Sequence, residues 1–298
     1  MRLTPLELPG WVEFNTWRTG LKEHRFSSGR GGAEVRAVFY LDRRGRLKLP
    51  PTNAYLPVVF SSERERPSGR TAQWLDVSAP LVEEMAQRGF ANQVRLPPEV
   101  DDVRPWQWRN FLVRVFYTYC LDFPLDNRLV AELPRRLADR AARLGMTVER
   151  VADIDPLMEC LAQTERHSGF SYGIDPREMR VAQSLLGSDS LRTYVCFDPD
   201  GRPAAAAAFL HAPGARAIEW VAGTRRSLND GASCLLFRHI LEDLSSAGAL
   251  GIDFAGANIQ GVALFKSQWG ASLVPTYSVR TYSVRAGARF LADWRASR

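Results

Sequence analysis

Apolar and polar side chains alternate from Ala33 to Leu41 (AEVRAVFYL), the period of a half-buried strand. Arg43-Arg-Gly-Arg46 has turn composition and Leu47 to Leu49 resumes the apolar run before Pro50-Pro51, so the pattern predicts a hairpin. Val77 to Gly89 has helical spacing, with Leu81, Met85 and Ala86 on one face, and Asn92 to Leu96 reads as a strand. Aromatic and β-branched residues dominate Phe111 to Tyr119, another expected strand. Leu125 to Leu144 repeats Leu129, Leu133, Leu137, Ala141 and Leu144 at spacings of three and four. That spacing predicts a helix with a leucine face toward the core, a kink at Pro134 and a stop at Gly145. Its other face presents Arg135, Arg136, Arg140 and Arg143, suited to phosphates or to pairing with Glu132 and Asp139.

The second half repeats this order of elements. A strand over Met146 to Val151 precedes helices over Ile154 to Ser168 and Pro176 to Leu186. Leu191 to Phe197, the turn Asp198-Pro-Asp-Gly-Arg and Ala204 to His211 make a hairpin. Ala215 to Ala222, a helix over Ala232 to Ala247, the strand at Gly251-Ile-Asp-Phe, a helix over Gly261 to Trp269 and the strand Leu273 to Val284 complete the order. Strand pairs followed by a long helix and a short parallel strand predict α/β architecture, with mixed sheets and helices on both faces. The expected domains are residues 1–145 and 146–298.

Composition adds little to the fold. The 298 residues are 45% hydrophobic and 24% charged, enough for a large core. No 18-residue apolar run and no signal-peptide pattern is present, which points to the cytoplasm and away from a membrane. Cys120, Cys160, Cys196 and Cys234 lack metal or redox spacing and read as buried thiols, so no metal is expected. The net charge of +6 and pI near 9.4 favour polyanionic partners such as tRNA or nucleotides. Of 39 basic residues three are lysines, Lys22, Lys48 and Lys266, and the rest are arginine. A lysine inside a motif of so arginine-rich a chain suggests a site that wants a compact ammonium.

Residues 191–280 carry a linked set of motifs. These are a β-turn-β pair, a helix start from Gly231 to Leu236, the strand end Asp253-Phe-Ala-Gly256-Ala-Asn258, then Phe265-Lys266 with Gly270-Ala271, and a last strand with Pro275 and Tyr277. Together they resemble the C-terminal domain of the FemAB-like (FemABX) transferases. Earlier in the chain, Pro50 to Pro57 (PPTNAYLP), the strand Phe111 to Leu121 and the segment Arg135 to Gly145 are similar to that family in looser form. The resemblance implies two tandem GNAT-like domains. It also implies transfer of an aminoacyl group from aminoacyl-tRNA to the amine of a small molecule or peptide, with no resident cofactor. In this family the lysine matching Lys266 is implicated in transfer, and Asp253, Gly256 and Asn258 match residues that shape the site.

Acyl transfer to an amine passes through a tetrahedral oxyanion that a nearby positive charge stabilises. Lys266 is the candidate for that charge and Phe265 for lining the acyl pocket, while the proton could go to the tRNA's own terminal hydroxyl or phosphate or to Asp253. In an acyl-CoA enzyme, consecutive backbone N–H groups at a helix start hold the pyrophosphate. Arg225, Arg226, Gly231 and Ala232 retain part of such a loop while Asp230 puts an anion in it. Acyl-CoA therefore stands as the alternative donor. A non-catalytic RNA- or nucleotide-binding protein is a third possibility. Asn53 and Tyr55 on the Pro-rich loop, and Tyr277, are candidate acceptor contacts. His167 beside Glu165 reads as a helix-end residue, and Trp106 and Trp108 as core or interface aromatics.

Overall fold

A computed structural model describes residues 3–169, 171–225 and 231–281. In chain order its elements are α1 (Pro9–Thr19), β1 (Lys22–Arg30), β2 (Ala33–Leu41), β3 (Val58–Ser62), α2 (Pro67–Arg88), β4 (Val94–Leu96) and α3 (Arg104–Trp108). There follow β5 (Phe111–Asp122), α4 (Glu132–Arg143), β6 (Thr147–Arg150), α5 (Asp155–Ser168), α6 (Pro176–Ser190), β7 (Leu191–Phe197) and β8 (Pro203–Leu210). Last come β9 (Arg216–Thr224), α7 (Ala232–Ser246), β10 (Gly251–Asp253), α8 (Gln260–Ser267) and β11 (Ser272–Thr281). The chain divides into two compact units.

The division lies elsewhere than at residue 145. One unit joins the chain up to Thr19 to Tyr117–Val274, and the other takes Gly20–Phe116 with the chain from Pro275 on. The expected boundary falls inside the first unit because α4 packs against α7, with the backbone carbonyl of Leu137 lying against Gly231. A side chain at Gly231 would collide with that carbonyl, and its φ of +83° is one that glycine adopts without cost.

In the first unit β5, β10, β9, β8, β7 and β6 lie in that order. Gly251–Asp253 of β10 run antiparallel to Cys120–Asp122 and parallel to Arg216–Ile218. The remaining neighbours are antiparallel, so the sheet is mixed, as expected. Strand β8 is buried along nearly its whole length because helices cover both of its faces. Ala205, Ala207 and Phe209 join the core under α7 with Leu236, Phe237, Ile240 and Leu244. Alternate residues Ala206, Ala208 and Leu210 are buried on the other face, and α5 also packs on this strand. Alanines let both helices come close. Gly223 on β9 does the same for α5, since a Cβ there would stand 2.6 Å from the Cys160 carbonyl carbon. All four cysteines are buried, and none is in a disulfide.

Helix α4 departs from its expected register. Leu129, Leu133 and Leu144 are exposed, and Pro134, Ala138 and Ala141 are buried instead. The helix starts only at Glu132, which puts Pro134 in its first turn, where a proline removes no helical hydrogen bond and makes no kink. A close α4–α7 crossing admits small residues and turns the leucines outward.

In the second unit β2 pairs antiparallel with β1 and with β3. The hairpin expected across Arg43–Arg46 is therefore only a bridge from Leu41 to Leu47, with Leu47 also bridging Phe90. Helix α2 begins at Pro67, ten residues before its apolar stripe becomes visible, and packs Trp74, Val77, Leu81 and Met85 onto Val35, Ala37 and Phe39. Within this unit β4 pairs with β11, Leu96 opposite Tyr277.

Candidate functional site

The chemistry-bearing residues of the first unit gather where two strands part. Strands β9 and β10 stay paired over three positions only. Past Ile218, β9 continues beside β8 to Thr224, whereas after Asp253 the chain bends toward β5, with Phe254 N–H donating to Tyr119 and Ala257 N–H to Tyr117. Glu219 stands at the point of divergence and is 7% exposed. It lies beside an irregularity in which Ala208 faces Val221 but Phe209 faces Glu219, leaving Trp220 as the extra residue.

Asp253 fixes the bend. Its Oδ1 accepts from Thr118 Oγ1 at 2.6 Å and from the Ala255 N–H at 2.8 Å, while Thr118 Oγ1 accepts from Gly256 N–H at 3.0 Å. Ala255 has φ of +51° and Gly256 +143°, backbone conformations that need such support. Asp253 is thus a buried structural acceptor, not an open proton acceptor. Asn258, expected to shape the site, is exposed and exchanges 3.4 Å contacts with the Tyr117 backbone.

Lys266 rises from α8 into this bend. Its Nζ lies 2.6 Å from Glu219 Oε2, 2.5 Å from the Phe254 carbonyl and 3.3 Å from the Gly256 carbonyl. Two of these contacts are hydrogen bonds to carbonyls, and the third is an ion pair whose geometry leaves Glu219 Oε2 without a hydrogen bond. The ammonium, 8% exposed, is therefore committed to Glu219 and to the bend rather than aimed at open space. Phe265 packs into an aromatic cluster with Phe237 and Trp269, ring centroids 5.3 and 6.0 Å away, so it serves the core more than an acyl pocket. Tyr172 donates to the Ala222 carbonyl on β9, and burial, then the Glu219 charge, pushes its phenol up to about 12.

The other expected site residues lie apart from this cluster. Arg225 pairs with Asp198, whose carboxyl is held below the usual carboxylate range first by that guanidinium. Arg226 lies outside the described residues. Gly231 opens α7. Arg135, Arg136 and Arg140 are exposed on α4. Asn53 and Tyr55, expected as acceptor contacts on the Pro-rich loop, are buried in the second unit. Tyr277 is half-buried in β11 of that unit, and Trp106 is core while Trp108 is exposed.

Glu219, Thr118 and Tyr172 were not legible as site residues. Glu219 is the one acid in an otherwise apolar run, Ala217-Ile-Glu-Trp-Val-Ala222, and that interruption was the available signal.

Residues 132–267 match the family model described as an acetyltransferase (GNAT) domain. FemX is 15% identical, with 93% of this chain and 92% of that one covered at a TM-score of 0.65. The C-terminal domain of a putative lysylphosphatidylglycerol synthetase from Agrobacterium fabrum is 17% identical over 98% and 91%, at 0.60. L-PGS from Bacillus licheniformis is 14% identical over 94% of each chain, at 0.54. No curated protein matches the sequence. These likenesses show the fold, which is the GNAT acyltransferase fold. Over nearly its whole length the chain is similar in fold to FemX.

Proposed function

We propose that this chain is an aminoacyltransferase that moves an aminoacyl group from aminoacyl-tRNA to the amine of a small molecule or peptide. The observation that carries this is the buried Glu219–Lys266 pair at the divergence of β9 and β10. The amine nitrogen attacks the ester carbonyl, a C–N bond forms, and the C–O bond to the terminal ribose breaks. The amine must lose a proton as it attacks, and Glu219, held beside an ammonium, is the base assigned to take it and to pass it to the departing ribose oxygen. Lys266 acts through Glu219 as a positioning residue, and the Asp253–Thr118 bend holds its two carbonyl partners in place. One of the similar structures is named as the C-terminal domain of a putative lysylphosphatidylglycerol synthetase, which supports an aminoacyl donor. No resident cofactor is required.

The GNAT description of residues 132–267 favours acyl-CoA as a second donor. Incubation with charged tRNA or with acetyl-CoA across a panel of amines, followed by RNase-sensitive amide formation or free thiol release, separates the two. The proposal expects amide formation from charged tRNA, lost in Glu219→Gln. Turnover of acetyl-CoA alone, or of neither donor, overturns it.

A further inference from the structure

We infer that the outer ridge of α4 is the docking surface for the phosphodiester backbone of the RNA donor, an inference that rests on the tRNA reading above. Arg136, Arg140 and Arg143 recur at spacings of four and three, so they share one ridge of the helix. That ridge points away from Pro134, Ala138 and Ala141, which are buried. A concavity of about 200 Å³ opens there, lined by the three arginines with Leu137 and Asp139. The acids on the ridge do not cancel this charge. Asp139 is taken by Arg238 from α7 at 2.6 Å, and Glu132 stands 3.7 Å from Arg136 across solvent, a weak pairing.

Position matters as much as charge. The Leu137 carbonyl touches Gly231, the residue that opens α7, so the arginines begin within one helical turn of that helix start. Planar guanidinium forks at this spacing suit a run of backbone phosphates.

A lipid surface fits less well. A helix lying in a bilayer interface sinks an apolar face, but the apolar face of α4 is spent on α7. The exposed leucines, Leu133 and Leu144, stand on one flank of the ridge rather than along its crest.

The test uses the full chain, an uncharged acceptor-stem RNA hairpin and the triple charge reversal Arg136→Glu/Arg140→Glu/Arg143→Glu. All three side chains are exposed, so the unfolding midpoint should hold, and the midpoint is measured alongside. Hairpin affinity, read by fluorescence anisotropy across a salt series, should fall at least roughly tenfold at low salt. The slope of log K against log salt should shrink by about 2 to 3, near 0.9 for each phosphate that no longer meets an arginine. Unchanged affinity and slope overturn the inference, as does a loss seen only with anionic phosphatidylglycerol vesicles. Because the hairpin carries no amino acid, the two readings fail separately. Arginine-dependent hairpin binding without transfer from charged tRNA sinks the donor reading alone. Transfer from charged tRNA with unchanged KM in the triple variant sinks the docking surface alone.

Discussion

Lys266 Nζ sits 2.6 Å from Glu219 Oε2, and this one contact ties α8 to β9 where β9 and β10 separate. Both groups are out of water, so removing one leaves the other charged, buried and uncompensated. Lys266→Met is expected to cost about 3 kcal/mol or more in urea denaturation, and Lys266→Met/Glu219→Gln to recover a good part of it. A loss in the double variant equal to the sum of the Lys266→Met and Glu219→Gln losses would show that the pair is not coupled.

Thr118 supports the bend through one hydroxyl that both donates and accepts. Thr118→Val keeps the shape and removes both bonds, with an expected loss of about 1–3 kcal/mol. Thr118→Ser should retain most of the stability. If valine unfolds at the wild-type urea midpoint, the hydroxyl does not hold the bend.

Gly223 lets α5 rest on β9. Gly223→Ala should cost about 1–3 kcal/mol by overpacking against the Cys160–Leu161 backbone. Thermal melts of the variant reveal it, and an unchanged midpoint would mean that the helix moves away freely.

Burial holds His211 below the ordinary imidazole range, with Arg192 adding to that shift; the Asp189 and Ala247 carbonyls and Asp243 oppose it. The unfolded chain then takes up a proton near pH 6.5 that the folded chain refuses. This contribution to stability is full above about pH 6.5 and is lost as pH falls through the lower folded value. His211→Gln should therefore flatten the decline in melting temperature between about pH 7 and about pH 5. An identical pH profile in the two proteins would place the acid sensitivity elsewhere.

Most strands of the first unit were legible because their signals are local. Leu191–Phe197 is a run bounded by a turn, and its observed limits equal the expected ones. Helix α4 was legible as a helix but not in its facing, since a leucine stripe predicts burial only when the neighbour is wide enough to admit leucines. Helix α1 was missed altogether, although Trp11 and Phe14 bury their rings against Trp220. Its partner lies some two hundred positions away, beyond any local window. The site divides the same way. Lys266 stood out by rarity, whereas Glu219 gains its meaning from the strand divergence beside it.

The assignment of α1 to the first unit has a consequence for how the protein is made. Arg18 of α1 meets Gly173 and Glu178, and the former contact spans 155 residues of sequence. β4, likewise, finds its partner β11 only near the far end of the described chain. A short helix cannot hold its shape unaided. During synthesis, then, α1 must wait for α6 to be translated, and the second unit cannot close before the chain has been extended past residue 274.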